Sequence, residues 1–275
     1  MSINTATLPR AMRTATGVAV ALLAAAWGLA VAEPATGTAE LRVCFPENDP
    51  PRSKRGGGGF DIDVAGYLAT QLGRQLLIVW LPEEAQTDIE STDADYRPLL
   101  RGQCDLQLSV PGTQAVKRYR GWLVLSEPYY GAGFEVIPAD SPFEFDAPFD
   151  GTVAVRANTV AHLALNAANI GWSQQSSSAG IVRTVADGAA AAGLVWGPDL
   201  ALLDTDHNPD FAAPAVLRWN LHVAFHKDNP LVGEVNRLVA TADFRDHVAK
   251  LLLKHRIPVR GPFESVHTPA DLLAL

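Results

Sequence analysis

Between Leu41 and Val110 the hydrophobic pattern alternates between two periods, and that alternation limits the possible folds more than any other feature of the chain. Leu41-Arg-Val-Cys-Phe45 has the length and composition of a strand. Val64, Leu68 and Leu72, with Ala65 and Ala69 beside them, then recur at helical spacing up to Gly73, a helix-ending residue. Leu76-Leu-Ile-Val-Trp-Leu81 is an unbroken apolar run, the pattern of a strand covered on both faces. An acid-rich loop leads to a short helix around Tyr96 to Leu100, ended by Gly102, and Asp105-Leu-Gln-Leu-Ser-Val110 reads as a third strand. Strand, helix, strand, helix, strand requires parallel pairing through right-handed crossovers, an α/β fold.

A second set of elements begins after Pro128-Tyr-Tyr130. Val153-Ala-Val155 reads as a strand, Thr159 to Ala168 and Ile181 to Ala186 as helices, Gly193-Leu-Val-Trp196 as a strand, and Leu200 to Leu203 as a helical turn. Leu221-His-Val-Ala-Phe225 is a further strand. Two amphipathic helices follow, with Leu231, Val235 and Leu238 on one and Phe244, Val248, Leu251 and Leu252 on the other, spaced to cover a sheet.

Upstream of all this, Arg10 and Arg13 precede an apolar run from Val18 to Val31, and Ala30-Val-Ala32 stands before Glu33-Pro34. This is the pattern of a secretory signal cleaved after Ala32. The run is shorter than a membrane span prefers, and no cysteine follows the cleavage point for a lipid anchor. The expected product is an exported, periplasmic chain with no stable membrane span. Removing residues 1–32 takes two arginines from the 22 basic residues and none of the 30 acidic ones, so the formal net charge moves from -8 to -10. Nucleic acid is not an expected partner for such a surface. Cys44 and Cys104 are the only cysteines, an even number in an oxidising compartment, and they sit on strands expected to be neighbours, so one disulfide is expected.

Several chemistries find no support. Ser53-Lys-Arg-Gly-Gly-Gly-Gly-Phe-Asp-Ile-Asp63 looks like a phosphate cradle, but Lys54 precedes the glycines. Asp61 and Asp63 would occupy the first helical turn, complement the helix dipole themselves and repel a phosphate. A turn feeding a helix, with Asp61 near its N-cap, is the better reading. There is no Gly-x-Ser-x-Gly nucleophile elbow. His222 and His226 are four residues apart, which on a strand means about 13 Å, too far to share a zinc. Neither a metal nor a cofactor is expected. Glu127 and Glu135 are the candidates for a general acid, by their position near the junction of the two sets of elements.

What remains are polar groups at strand ends and helix starts. Phe45 ends the first strand, and Ser109-Val-Pro-Gly112-Thr113 ends the third, with Lys117 and Arg118 one turn further on. Asn158-Thr159 and Trp196-Gly197-Pro-Asp199 hold the equivalent places in the second set. Open parallel sheets bind ligands at the carboxyl ends of their strands, where backbone N–H groups and a cation can hold an anion. The two groups suggest facing half-sites.

Gly59-Phe-Asp-Ile-Asp-Val64, Leu99-Leu-Arg-Gly-Gln-Cys-Asp105, Ser126-Glu-Pro-Tyr-Tyr130, Gly151-Thr-Val-Ala-Val155 with Thr159, and Phe225-His-Lys-Asp-Asn229 follow one another in an order that resembles the family 3 periplasmic solute-binding proteins, over about residues 40 to 258. The resemblance implies a type II two-lobe fold, each lobe a mostly parallel sheet flanked by helices, with two crossover strands and a ligand clamped between the lobes. It places lobe 1 at residues 33–132 and 223–275 and lobe 2 at 133–222. Amino-acid binders of the family hold the ligand carboxylate with an arginine and its ammonium with an aspartate. Lys117, or with a one-residue shift Arg118, falls at the arginine position, and Gly197 at the aspartate position. With that carboxylate missing, a small anionic or neutral ligand is expected, and zwitterionic amino acids should bind weakly.

A narrower likeness joins Cys44 after Leu-Arg-Val, Gly102-Gln-Cys-Asp105 leading to Val110-Pro-Gly112, and Val195-Trp-Gly-Pro198. These are similar to the quinoprotein-dehydrogenase-associated branch, the J-type methanol-oxidation proteins. That implies a non-catalytic accessory of a PQQ-dependent dehydrogenase. The alternative is the substrate-binding component of an ABC importer, with its permease as partner. A third reading is an enzyme like cyclohexadienyl dehydratase, which resembles this fold.

Overall fold

The computed structural model describes residues 39–81, 96–112, 117–119, 121–268 and 270. The leader at 1–32 and Thr113 lie outside the described residues, as does the side chain of Arg118. Among the described residues no helix is long and apolar enough to cross a membrane.

The first set of elements forms as the periodicity predicts: β1 (Glu40–Pro46), α1 (Phe60–Gln71), β4 (Gln75–Leu81), α2 (Arg97–Leu100) and β5 (Leu106–Val110). Two short strands, β2 (Asn48–Asp49) and β3 (Ser53–Lys54), pair antiparallel between β1 and α1. β1 pairs in parallel with β4 on one side, from Glu40 against Gln75 to Pro46 against Leu81, and with β5 on the other. β4 is therefore the outer strand of its half of the sheet, not a strand enclosed by neighbours, and Leu77 is exposed. Its apolar run is continuous because both faces are covered, as the pattern predicts. Leu76, Ile78 and Trp80 pack on the main core while Val79 and Leu81 pack on Cys44 and Cys104, so each face meets a separate apolar cluster.

The glycine-rich turn is explained by what meets the start of α1. Phe60 N–H donates to Pro51 C=O (3.0 Å) and Asp61 N–H to Arg52 C=O (3.0 Å), so donors that an anion would need are already taken by backbone. Gly59, at φ 155°, lies so close that an added Cβ would be 2.2 Å from the Arg52 carbonyl oxygen. Only glycine allows that approach. The buried face of α1, which includes Phe60, Val64, Ala65 and Leu68, packs on β1 and on two C-terminal helices, α5 (Val232–Val239) and α6 (Ala242–Lys254). Asp63 fixes α6 from the outside of this contact through Lys254 (2.7 Å) and His255 (2.6 Å).

The remaining strands are β6 (Leu123–Leu125), β7 (Tyr130–Ile137), β8 (Val153–Arg156), β9 (Trp172–Gln175), β10 (Ala192–Trp196) and β11 (Arg218–His226), with α3 (Val160–Ala167) and α4 (Ser178–Ala186) between them. The main sheet runs β4-β1-β5-β11-β7-β10-β8-β9, with β6 also on β11. Its ends are parallel trios, β4-β1-β5 and β10-β8-β9, and the antiparallel pair β7 and β11 joins them in the middle. Each half thus repeats one order, β4-β1-β5-β11 and β9-β8-β10-β7. Separate cores serve the halves: Leu41, Val43, Leu106, Phe225 and Phe244 belong to one, Val136, Phe143, Val155, Leu165 and Leu194 to the other. The two crossovers expected from the resemblance, near Gly131–Phe134 and Asn220–Val223, are β7 and β11, whereas β6 and β9 have no counterpart in the sequence pattern; β9 is Trp-Ser-Gln-Gln, an edge strand too polar to show a hydrophobic period.

Cys44 and Cys104 form the expected disulfide, with Cα atoms 5.6 Å apart. It ties the carboxyl half of β1 to the entry of β5 and is buried with Leu81.

Candidate functional site

A cavity of about 310 Å³ opens at the carboxyl ends of β1, β4 and β5 and is bounded from the second half of the chain by Trp196, at the end of β10. Phe45, Tyr96 and Trp196 give it aromatic walls. Its polar lining is Asp49, Arg52, Asp61, Gln107 and Ser109. β5 supplies Gln107 and Ser109, the start of α1 supplies Asp61, and the β2–β3 segment supplies the Asp49 and Arg52 pair, 2.6 Å apart.

Asp61 is the buried charge of the site, only 5% exposed. Tyr129 Oη donates to Asp61 Oδ1 (3.1 Å), and Ser109 N–H donates to Tyr129 Oη (3.1 Å), with Ser109 Oγ 3.2 Å from the same oxygen. Ser109 reaches this position because it has left-handed backbone, φ 57°, which turns its N–H and Oγ together towards the phenol. Burial raises the Asp61 pKa from 3.8 to about 6, while the Arg52 guanidinium and hydrogen bonds from Ser109 and Tyr129 pull it back. Burial also holds the Tyr129 phenol protonated to well above its ordinary range.

The sign of the Asp61 effect follows from the raised value. The folded state binds a proton more tightly than the unfolded chain, so the ionised group costs stability above about pH 6 and costs nothing below about pH 4. A shift of that size corresponds to about 3 kcal/mol. Asp61→Asn should therefore raise the stability at pH 8 by about 3 kcal/mol and remove a fall in stability between pH 4 and pH 6. Urea unfolding of both proteins across that range checks it; parallel curves would show that Asp61 is not the buried titrating group.

Gln107 is 8% exposed, and its Oε1 is buried with no hydrogen-bond partner among the described residues. Neither Gln107 nor Asp61 was singled out from the sequence as a site residue. Gln107 carried a signal, being a polar side chain inside the apolar strand Leu-Gln-Leu-Ser-Val. Asp61 carried none, because a carboxylate in a first helical turn is ordinary. The expectation of a cleft without a carboxylate is corrected by Asp49 and Asp61, which reach it from the β2–β3 segment and the start of α1.

Of the residues proposed from the sequence, Phe45, Ser109 and Trp196 line the cavity. Gly112 forms the turn after β5 at φ 80°, and Lys117 is exposed on a single turn of 3-10 helix; neither lines the cavity. Asn158 and Thr159 start α3: Asn158 N–H donates to His162 Nδ1 (3.3 Å), and Thr159 Oγ1 accepts from His162 N–H (3.3 Å). Gly197 packs against β7, where a Cβ would be 2.8 Å from Gly133 O. Asp199 accepts a 2.5 Å hydrogen bond from Ser178 Oγ and so ties its turn to α4.

Glu135, a candidate acid, is 3% exposed and has a partner that the sequence did not reveal: Arg260 donates through Nε to Oε1 (3.0 Å) and through Nη2 to Oε2 (2.7 Å). Glu127 is exposed, and its N–H is held by Asn236 Oδ1 (2.9 Å). His222 Nδ1 lies 2.7 Å from Ser126 O, and burial lowers its pKa. Among the described residues no cluster of three His, Cys, Asp or Glu side chains could hold a metal ion.

Two repeated half-sheets joined by an antiparallel pair, with a cavity at the strand ends between them, define the two-lobed fold of the periplasmic binding proteins. Solved structures similar to this chain include solute-binding proteins. The L-cystine solute receptor of Neisseria gonorrhoeae, in its unliganded open conformation, has TM-score 0.66 and 18% identity over 81% of this chain and 96% of that one. MxaJ from Methlophaga aminisulfidivorans MPT has TM-score 0.58 and 20% identity over 80% of this chain and 100% of that one. XoxJ from Methylobacterium extorquens AM1 has TM-score 0.53 and 18% identity over 81% of this chain and 100% of that one. At these identities the likeness defines the fold. No family model and no curated protein matches the chain.

Proposed function

We propose that the chain is a non-catalytic, exported solute-binding protein that holds a small molecule between lobe 1 (33–132 and 223–275) and lobe 2 (133–222). The observation that carries this reading is the cavity itself. Its wall keeps a buried ionisable carboxylate, Asp61, where an apolar residue would favour folding more. Glu135, the buried candidate for an acid, is committed to Arg260, which supports binding over catalysis.

The role we favour is that of an accessory to a PQQ-dependent dehydrogenase. It is supported by the Cys44 and Cys104 bridge, by the Gly102-Gln-Cys-Asp105 and Val110-Pro-Gly112 pieces around it, and by MxaJ and XoxJ among the similar structures. Delivery of solute to an importer is the second reading, supported by the likeness to a cystine receptor.

Native mass spectrometry of the protein purified from its own periplasm tests the binding reading. A single small adduct per chain is expected, lost in Trp196→Ala; a chain that carries no adduct and shows no shift with periplasmic extract would defeat it. Immobilised protein then separates the roles: retention of a quinoprotein dehydrogenase supports the first, retention of a permease the second.

A further inference from the structure

We propose that residues 257–268 form a strap, a third connection between the two lobes, which holds them at a fixed angle and so keeps Trp196 in place over the cavity. The proposal rests on the solute-binding reading for its purpose, but its test does not. The segment leaves α6 in lobe 1, where Ile257 is buried in the same core as Leu41, Val43 and Phe225. It then grips both crossover strands. Arg260 O accepts from Gly131 N–H (3.4 Å) and the Arg260 guanidinium holds Glu135, both on β7, while Asn220 on β11 clamps Phe263 through both its amide atoms (2.9 and 2.8 Å). It ends against lobe 2. His267 N–H donates to Arg218 O (2.7 Å) and His267 Nδ1 to Val216 O (2.9 Å), next to the second core.

Gly131 shows that β7 is shaped to receive the strap. A Cβ there would lie 2.2 Å from Gly261 O and 2.8 Å from the Phe263 ring, so only glycine lets the segment run this close to the strand. Aromatic rings link the strap to the cavity. His267 stacks on Trp219 with centroids 5.1 Å apart, Trp219 meets Trp196 edge to face at 5.4 Å, and Phe134 packs on both tryptophans. Trp196 in turn lines the cavity from the end of β10. Two crossover strands alone let lobes swing through backbone changes at a few hinge residues. Here the same swing has to break the Arg260 to Glu135 pair, the Asn220 clamp or the His267 contacts.

The test needs no ligand. Nitroxide labels attached through Gln71→Cys and Arg183→Cys, exposed positions on α1 and α4, report the distance between the lobes of the exported protein by pulsed electron spin resonance. The parent protein is expected to give one narrow distance distribution. Gly131→Ala pushes the strap off β7 while leaving all its residues in the chain, and it should broaden that distribution about twofold. Truncation after Val259 should broaden it at least as much. A distribution already broad in the parent protein, or one that stays narrow in Gly131→Ala or in the folded truncated chain, would overturn the proposal. If the truncated chain does not fold because Glu135 has lost Arg260, Gly131→Ala decides alone. The adduct measurement judges solute binding separately: a chain that carries no adduct, yet broadens in Gly131→Ala, keeps the strap and loses the solute-binding reading.

Discussion

Arg260→Ala is expected to destabilise the protein by about 3 to 5 kcal/mol, because it leaves the buried carboxylate of Glu135 without its bidentate partner. In a chain of this size that is a fall in Tm of about 10 °C. The effect should exceed that of the missing contact itself, since most of it is the cost of a buried, uncompensated charge. Replacing both members, Glu135→Leu with Arg260→Leu, should recover most of the loss. Thermal unfolding of the two variants checks this, and a double variant no more stable than Arg260→Ala would show that the pair matters for more than mutual neutralisation. Arg260 also anchors the segment after α6. Gly131 N–H donates to Arg260 O (3.4 Å), Asn220 clamps Phe263 through both its amide atoms (2.9 and 2.8 Å), and His267 N–H donates to Arg218 O (2.7 Å). The C-terminal segment therefore lies along β7 and β11, the pair that joins the two halves of the sheet.

Loss of the disulfide should be comparable. Cys44 and Cys104 are 60 residues apart, and closing a loop of that length stabilises the folded state by about 4 kcal/mol in the chain-entropy account. The double variant Cys44→Ala with Cys104→Ala should melt about 10 °C lower than the oxidised protein. Dithiothreitol should bring the wild-type protein down to the same temperature and leave the variant unchanged. If the reductant moves neither, the bridge adds nothing to stability. Ligand affinity should fall along with it, because Cys44 and Leu81, which pack around the bridge, also line the cavity.

Much of the fold was legible because it depends on local periodicity. The helical spacing of Val64, Leu68 and Leu72 and its end at Gly73 mark α1, and the strand composition of Leu41–Phe45 marks β1. The outer position of β4 was not legible, because an apolar run records how many faces meet apolar groups and not how many neighbouring strands pair with its edges. The site was legible in part. Phe45, Ser109 and Trp196 could be placed at strand ends from order alone, since parallel sheets put their ligands there. Asp61, Gln107 and Arg52 could not, because their importance comes from what surrounds them.

The sequence by itself determined the α/β class and the strands and helices that carry a clear hydrophobic period, since each follows from spacing, while the register of β1 and β5 decided that Cys44 and Cys104 meet. Only the tertiary structure decided that Glu135 belongs to Arg260 across 125 residues, and that Asp61 faces a cavity instead of simply serving a helix dipole. Partnership and burial depend on distances between segments far apart in the chain. The cost of a charge is set by those distances and by the water they exclude, neither of which a linear pattern records.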